Sequence, residues 1–342
     1  MLERQRKMPS FEELIEKYPL SPSGSAVKRE RDSQIRAVLA GQSEKMLVVV
    51  GPCSAHDKKA VLEYAERLGK VALKTVDKLV IVPRIYTNKP RTKGVGYKGM
   101  FLQPDPLREA DIVEGMESVR ALLLAVLECS GLTAADEILY PESAALTQDL
   151  LSYHTVGARS VENPLHRQTA SGLDLPVGMK NPISGNLEGL VHSVYAAQSP
   201  QIFPFDGWQV KSFGNEYAHA ILRGYVNALG EDVANFDKET VCRLGRLYLE
   251  NGIKNPAVIV DCSHSNSAKQ YKRQPSVAME TLKNRRESGE VKALVKGLMI
   301  ESFLCEGSQA ESGIAAFGQS ITDPCLGWED TERLLLRIAE KV

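Results

Sequence analysis

Short apolar runs alternate along the chain with longer amphipathic segments. The apolar runs predict eight β-strands, at 47–54, 79–86, 137–143, 155–160, 176–182, 201–205, 256–265 and 295–302. The segments between them predict helices over 57–74, 110–131, 144–153, 186–198, 239–252, 277–289 and 329–342. Continuously apolar strands joined by crossover helices form a parallel sheet, and eight such units favour an α/β fold of the (β/α)8 TIM-barrel type over an open doubly wound sheet.

Two segments interrupt this alternation, and a third precedes it. Residues 84–109 form a connection too long to be routine, and 207–239 predict a β-hairpin inserted after strand six. Residues 1–45 are polar and charged, with a Pro/Ser/Gly break before a short helix predicted at 28–41. We therefore expect an N-terminal extension over 1–45 and a catalytic barrel over 46–342.

Composition narrows the class of protein. The 342 residues include 42 basic and 43 acidic side chains and are 43% hydrophobic, which is typical of a soluble globular enzyme. A nearly neutral chain argues against a general nucleic-acid or membrane surface. Six cysteines without CxxC pairs, and no apolar leader or membrane-length run, predict a cytoplasmic protein with reduced thiols.

Cationic side chains fall where the predicted strands end. In a parallel barrel these carboxyl ends converge on one mouth. Clustered cations repel one another unless an anion compensates them, so they indicate a substrate with two or three negative charges. The stretch 84–99 alone carries five cations and no acid, which indicates a second phosphate near the first. The strand-end cations are Arg84, Arg159, Lys180 and Arg223.

Candidate metal ligands lie at the same mouth. Cys53 follows strand one, His264 follows strand seven, Glu301 ends strand eight, and Asp323 lies in the next loop. Strands seven, eight and one are neighbours in a closed barrel. A thiolate, an imidazole and two carboxylates suit a divalent metal ion such as Mn, Fe, Co or Zn without selecting one of them.

Several motifs lie at or near the predicted strand ends. They are GPCSAHD (51–57), KPRT…GYKG (89–99), GARSVE…HR (157–167), MKN (179–181), ILRG (221–224), DCSHSNSAKQ (261–270) and SITDPCLGWEDTE (320–332). Together these motifs resemble one known family, the class I 3-deoxy-D-arabino-heptulosonate 7-phosphate (DAHP) synthases, and the resemblance runs from about residue 45 to residue 342.

The resemblance implies a reaction and a role for each matching residue. Members of this family are metal-dependent (β/α)8 barrels that condense phosphoenolpyruvate with D-erythrose 4-phosphate and release phosphate, the first step of the shikimate pathway. By resemblance, the metal ligands are Cys53, His264, Glu301 and Asp323. The phosphoenolpyruvate site would comprise Arg84, Lys89, Glu137, Arg159, Lys180 and Arg223. The erythrose 4-phosphate segment would be Lys89, Pro90, Arg91 and Thr92, and the residues expected to act in catalysis are Lys89, Lys180, His264 and Asp323.

Some expectations stay open at this stage. Either Lys180 or His264 is a candidate to move protons. The extension resembles one that assembles a homodimer or homotetramer and binds an aromatic amino acid, and phenylalanine, tyrosine and tryptophan are all candidates for that effector. The native metal is also open between Mn, Fe, Co and Zn.

Three alternative functions compete with this hypothesis. A sister synthase would use another sugar phosphate, such as arabinose 5-phosphate, although the KPRT tetrad speaks against it. A non-catalytic barrel would bind sugar phosphate or an aromatic amino acid as a regulator, although all candidate ligands and cations are present. A metal hydrolase would account for the metal ligands and leave the cations unexplained.

Overall fold

A computed structural model describes residues 1–91, 94–311 and 316–342. The strands are β1 (Met46–Gly51), β2 (Leu79–Pro83), β3 (Ala134–Ile138), β4 (Leu151–Val156), β5 (Val177–Lys180), β6 (Ile202–Phe205), β7 (Trp208–Lys211), β8 (His219–Leu222), β9 (Tyr225–Val226), β10 (Asp232–Val233), β11 (Val258–Asp261) and β12 (Val295–Glu301). The helices are α1 (Phe11–Lys17), α2 (Pro22–Leu39), α3 (Lys58–Lys74), α4 (Ile112–Ser130), α5 (Ala144–Thr147), α6 (Pro164–Gly172), α7 (Leu187–Gln198), α8 (Lys238–Glu250), α9 (Gln274–Glu287), α10 (Gly289–Leu294) and α11 (Trp328–Lys341).

Eight parallel strands form the central sheet, in the order β2-β1-β12-β11-β8-β5-β4-β3. The two edge strands meet through a parallel bridge between Arg84 and Ala135, where the Ile85 N–H donates to the Ala135 carbonyl at 2.8 Å. The sheet therefore closes on itself, and the predicted (β/α)8 barrel is confirmed.

The sixth barrel strand differs from the prediction. Residues 201–205 are not a barrel strand, because β6 pairs antiparallel with β7 in a separate hairpin. The sixth barrel strand is β8, which is buried along its whole length and pairs with β5 and β11. A hairpin does follow it, formed by β9 and β10, as predicted. Strand β8 has only four residues and begins with the polar His219, so a search for apolar runs did not find it.

Other boundaries also differ. The helix predicted at 144–153 ends at Thr147 as α5, and residues 151–153 belong to β4. The strands predicted at 137–143 and 155–160 lie earlier, as β3 and β4, because the polar residues at their ends belong to the following loops. Helix α6 was missed by the sequence analysis. It begins at Pro164 after the Asn163 cap, whose side chain accepts from the Leu165 N–H.

Helix α2 covers the amino-terminal end of the barrel. It begins after Ser21, whose hydroxyl accepts from the Gly24 N–H, and Pro22 stands at its first position. Its fully buried Ile35, Val38 and Leu39 join the apolar cluster that fills the barrel interior. A second and larger cluster lies between the strands and the surrounding helices. Within the described ranges, no helix has the length and apolar character needed to cross a membrane.

Candidate active site

A cavity of about 340 Å³ opens at the carboxyl-terminal mouth of the barrel. Its walls come from the ends of most barrel strands, so residues far apart in sequence meet there. Larger cavities lie elsewhere, and chemistry rather than size identifies this one as the candidate site. Among its lining residues are Arg84, Lys89, Pro90, Arg91, Glu137, Arg159, Lys180, Arg223, His264, Glu301 and Asp323.

Two of the cations are buried and compensated by carboxylates. The Arg84 guanidinium donates to Glu301 Oε1 at 2.9 Å and also to the carbonyl of Pro52. The Lys180 ammonium lies 2.9 Å from Glu137 Oε2. Burial alone would raise the pKa of Glu137, but the charges of Lys180 and Arg84 outweigh burial and lower it. Glu137 is therefore ionised at neutral pH.

An aromatic ring lies beneath these two cations. The Arg84 guanidinium lies 3.6 Å from the centroid of the Tyr86 ring, and the Lys180 ammonium lies 5.2 Å from it. The Tyr86 hydroxyl is hydrogen-bonded to that of Thr155 at 2.7 Å. The ring fixes the direction of both cations toward the cavity. The sequence analysis did not assign a role to Tyr86, although it stands two residues after Arg84.

Two further arginines in the cavity lack a carboxylate partner. Among the described residues, neither Arg159 nor Arg223 forms a side-chain ion pair or hydrogen bond. The pKa of Arg223 is lowered, chiefly by burial. Arg223 is half-buried and Arg159 is exposed, and a partly buried guanidinium without a partner favours an anion beside it.

A network of three buried asparagines holds the backbone around Arg223. Asn181 accepts from the Arg223 N–H at 2.9 Å and donates to the Gly224 carbonyl at 2.9 Å. Asn235 accepts from the Gly224 N–H at 2.7 Å, and Asn266 donates to the carbonyl of Leu222. Asn235 bonds to the other two asparagines, which are 31 and 54 residues from it in sequence. The sequence analysis gave these asparagines no role, although Asn181 lies in the motif MKN (179–181) and Asn266 in DCSHSNSAKQ (261–270).

The loop after β2 begins at a buried carboxylate. Asp136 accepts from the Thr87 N–H at 2.9 Å, from the Thr87 hydroxyl, and from the Glu137 N–H at 2.7 Å. Gly99 has a φ of 95°, and an added Cβ would lie 2.4 Å from the Thr87 carbonyl oxygen. Only glycine therefore fits at this position, which lets the loop fold back onto its own start.

The far part of this loop is held by another carboxylate. The Arg91 guanidinium is paired with Glu311 and donates from Nε to the Tyr97 carbonyl at 2.8 Å. Glu311 also accepts from the Tyr97 N–H at 3.0 Å. Pro90 and Arg91 line the cavity. Thr92, the last residue of the predicted sugar-phosphate segment, lies outside the described residues.

The predicted metal ligands surround the other side of the cavity. Cys53 Sγ lies 3.0 Å from Asp323 Oδ2, and Glu301 accepts from the Ser263 hydroxyl at 2.8 Å. His264 Nδ1 lies 2.8 Å from Asp261 Oδ2. In the ranges that the structure describes, no group of three or more His, Cys, Asp or Glu side chains is already arranged to hold a metal ion.

The chemistry of this group nevertheless fits a cation. The Lys89 ammonium lies between two of the candidate ligands, 2.6 Å from Cys53 Sγ and 2.9 Å from Asp323 Oδ2. Burial would lower the pKa of Lys89, but Cys53 and Asp323 outweigh burial and raise it. Burial and the charge of Glu301 raise the pKa of the Cys53 thiol to about 11. The Lys89 ammonium thus lies between the Cys53 sulfur and the Asp323 carboxylate, so the site accepts positive charge. A divalent cation bound there would displace the proton of the Cys53 thiol.

The fold and the cavity define a class of protein, a (β/α)8-barrel enzyme that binds phosphorylated anions beside a candidate cation site. Comparison with known proteins is more specific. The model of the DAHP synthetase I family matches residues 21–336. The chain belongs to this family.

Individual relatives cover almost the whole chain. The phospho-2-dehydro-3-deoxyheptonate aldolase of Escherichia coli named Phe-sensitive is 38% identical over 337 residues, which are 96% of this chain and 93% of the relative. The Tyr-sensitive enzyme of the same organism is 37% identical over 337 residues, 96% of this chain and 91% of the relative. A solved structure of phospho-2-dehydro-3-deoxyheptonate aldolase from Francisella tularensis has a TM-score of 0.92 and 33% identity, and the match covers 100% of this chain and 98% of that one.

Proposed function

We propose that this protein is a DAHP synthase, which condenses phosphoenolpyruvate with D-erythrose 4-phosphate and water to give 3-deoxy-D-arabino-heptulosonate 7-phosphate and inorganic phosphate. The observation that carries the proposal is the mouth cavity. It combines unpartnered arginines on one side with a thiol and carboxylates around a positive charge on the other side. Family membership over nearly the whole chain supports the same reaction.

Phosphoenolpyruvate binds on the arginine side. Its phosphate and carboxylate supply the negatively charged partners that Arg159 and Arg223 lack among the described residues. Each guanidinium is planar and can donate two parallel hydrogen bonds to a pair of oxygens. Arg84 and Lys180 complete this arc, with Glu137 limiting their mutual repulsion. Binding there orients carbon 3 of phosphoenolpyruvate toward the opposite side of the cavity.

Erythrose 4-phosphate binds along the segment Lys89, Pro90, Arg91 and Thr92. Its aldehyde carbon is the electrophile that forms a bond with carbon 3 of phosphoenolpyruvate. Water adds to carbon 2, and the carbon–oxygen bond to the phosphate breaks as phosphate leaves with that bonding pair. The cations of the arc stabilise the negative charge that develops on the departing phosphate. Lys180 and His264 line the cavity and are the candidates to move the protons.

Cys53, His264, Glu301 and Asp323 are the residues that would hold a divalent metal ion. Such an ion supplies Lewis acidity toward the aldehyde oxygen. The mixed ligand set favours Mn, Fe or Co and also accepts Zn. Lys89 lies between Cys53 and Asp323, and its ammonium would be available to the sugar phosphate if a metal ion held these two side chains.

A steady-state assay tests the reaction. Chelator-treated protein is measured with and without added Mn²⁺ by loss of phosphoenolpyruvate absorbance, with erythrose 4-phosphate or arabinose 5-phosphate as the partner. We expect metal-restored turnover with the four-carbon sugar alone. Turnover only with the five-carbon sugar would show the sister synthase. No turnover with either sugar would favour a regulatory barrel.

A cysteine pair tests the metal site. We expect Cys53→Ala to lose metal-dependent turnover and bound metal while keeping its circular dichroism spectrum. Cys242→Ala is the matched control, since Cys242 is also a buried thiol but lies on α8, outside the cavity. Full activity of Cys53→Ala would overturn the assignment of Cys53 as a ligand.

A second cavity supports feedback by an aromatic amino acid. It has a volume of about 520 Å³ and lies between α5, α6 and the β6–β7 hairpin. Phe203, Phe205 and Val210 give it an apolar side, and Ser171 and Ser212 give it hydroxyls that bond to each other at 2.7 Å. Relatives named Phe-sensitive and Tyr-sensitive make an aromatic effector the natural occupant. We assign the extension over 1–45 to the assembly of a homodimer or homotetramer that supports this regulation.

Inhibition by single amino acids tests this assignment. Turnover is measured with phenylalanine, tyrosine or tryptophan, and one of them is expected to inhibit. Phe205→Ala should relieve that inhibition, whereas Trp208→Ala should not, because Trp208 is 74% exposed on the same hairpin. Light scattering after gel filtration measures the oligomeric state. Inhibition unchanged by Phe205→Ala would place the effector elsewhere.

A further inference from the structure

A cavity of about 730 Å³ lies at the amino-terminal end of the barrel, opposite the candidate active site. We call it the basal cavity. Its walls come from the connections before β1 and β2 and from the carboxyl-terminal ends of α9 and α11 together with α10. Neither the reaction nor the effector cavity described above uses any of these residues.

The lining of the basal cavity is strongly cationic. Acidic side chains contribute only Glu44 and Asp77. Glu44 pairs with Lys292 at 3.0 Å, and the Lys78 ammonium donates to the Val342 backbone oxygen at 3.0 Å. The other cations of the lining form no ion pair within the described part of the chain. The cationic side chains are Lys45, Lys78, Arg285, Arg286, Lys292 and Lys341.

The guanidinium of Arg285 in the basal cavity is incompletely paired. Its Nε is shielded from solvent and has no hydrogen-bond partner among the described residues, as is also true of Arg84 and Arg120, but unlike them it has no carboxylate within ion-pair distance there. Its other end only approaches the Met46 sulfur, at 3.8 Å. Burial lowers the pKa of Arg285, and the neighbouring Lys296 has a lowered pKa because of burial and of repulsion by Arg285. The cations here are crowded and incompletely compensated.

Arg84 and Arg120 are buried and have the carboxylate partner that Arg285 lacks within the described ranges. Arg84 has Glu301 as its partner, and Arg120 binds both oxygens of Asp149 at 2.8 and 2.9 Å. Arg223 resembles Arg285 in being half-buried without a carboxylate partner among the described residues, and Arg223 faces the candidate active-site cavity. An arginine without a carboxylate partner in the described part of the chain therefore lines a cavity at each end of the barrel.

Helix geometry alone does not account for the basal cluster. Arg285 and Arg286 stand in the last turn of α9, where basic residues stabilise the partial negative charge of a helix end. Lys45, Lys78 and Lys341 come from three other elements, and they face the same cavity. Convergence of cations from separate segments, most of them without an ion-pair partner in the described residues, is what an anion-binding site requires.

We propose that the basal cavity binds a small molecule that carries a phosphate monoester or diphosphate group, with Arg285 at its centre and Lys45, Lys78 and Lys341 around it. The volume lies within the usual range of ligand pockets and exceeds that of inorganic phosphate. It therefore has room for the organic part of a phosphate ester. The polar and basic lining selects for a charged ligand.

Calorimetric titration with inorganic diphosphate at low salt tests this site. Arg223→Met first removes a phosphate-binding cation from the mouth. Binding to that variant is expected to persist and to weaken as NaCl is raised. Adding Arg285→Met should weaken the remaining binding at least tenfold. Lys70→Gln, on the exposed surface of α3, should leave it unchanged.

A second variant tests the site independently, in case Arg285→Met does not fold. Lys78 and Lys341 are exposed on the rim, so Lys78→Gln combined with Lys341→Gln removes two charges without disturbing the core. This double variant should also weaken binding. Diphosphate binding that is absent in Arg223→Met, or unaffected by both basal variants, would overturn the proposal. Turnover of Arg285→Met without diphosphate is expected to match the wild type, which separates this test from that of the reaction.

Discussion

Individual cations in the mouth cavity differ in how the protein compensates their charge. Arg84 and Lys180 have carboxylate partners at hydrogen-bond distance, so they are positioned before a substrate arrives. The side chain of Arg223 has no carboxylate partner among the described residues. Only its backbone is held, through the Arg223 N–H, which donates to Asn181. We therefore expect loss of Arg84 or Lys180 to leave a buried carboxylate unpaired, and a change at Arg223 to act mainly on the proposed substrate binding.

Replacing Arg223 by lysine separates these two effects. Lysine keeps the charge but loses the planar fork, and one charged hydrogen bond contributes about 1.5–3 kcal/mol. We expect KM for phosphoenolpyruvate to rise about 10- to 100-fold with little change in melting temperature. Steady-state kinetics and a thermal melt measure both, with Arg246→Lys on the exposed face of α8 as the control. An unchanged KM would mean that Arg223 does not contact this substrate.

At the scale of elements, α2 fills the position below the barrel. Leu39 is 1% exposed and packs with Ile35 and Val38 into the interior cluster. The sequence predicted this helix as part of an extension, by its position before the first strand. Its contacts show that it also closes the base of the barrel, because the strands alone leave apolar side chains such as Leu47 and Val49 uncovered there.

Truncating the buried face of α2 tests this role. Leu39→Ala is expected to lower the free energy of unfolding by about 2–5 kcal/mol, because it removes buried methyl groups and leaves a cavity. Urea denaturation measures the loss, and Ser33→Ala on the exposed side of the same helix is the control. A loss below about 1 kcal/mol would show that α2 does not contribute to the barrel core.

For the whole molecule, two buried histidines contribute to the loss of stability in acid. His154 and His219 lie in barrel strands, and burial lowers the pKa of each to about 4. His154 is near the Asp136 carbonyl and, through space, Lys28, while His219 bonds to the Tyr153 hydroxyl at 2.7 Å. Both rings are therefore neutral in the folded protein at neutral pH.

The free energy of unfolding should decrease as the pH falls from about 6.5 to about 4, where these two histidines take up protons in the unfolded chain. The unfolded chain binds these protons near pH 6.5 and the folded chain only near pH 4, so protonation between these values favours unfolding. The largest contribution is about 3 kcal/mol for each histidine. We expect urea denaturation at pH 7, 6 and 5 to show a progressive loss, reduced in His219→Asn. His192→Gln, at an exposed histidine of α7, should retain the full loss. An equal loss in His219→Asn would exclude His219 as a source.

Much of the site followed from position in the sequence. Once strand ends are known to converge, the residues that follow them must share one mouth, because all parallel strands of a barrel point the same way. Arg84, Lys180, Glu301 and His264 all line the cavity for this reason. The motifs then identified the family, which membership over residues 21–336 confirms.

The sequence by itself determined the alternation of strands and helices, the barrel and the chemistry at its mouth, since these depend on local periodicity and on the order of residues along the chain. Only the tertiary structure decided the partners of each charge: Glu301 for Arg84, Glu137 for Lys180, and no carboxylate for Arg285 within the described residues. It also decided that β8 rather than β6 enters the barrel. Such pairings join residues distant in sequence, and they depend on burial and distance, which a one-dimensional pattern does not contain.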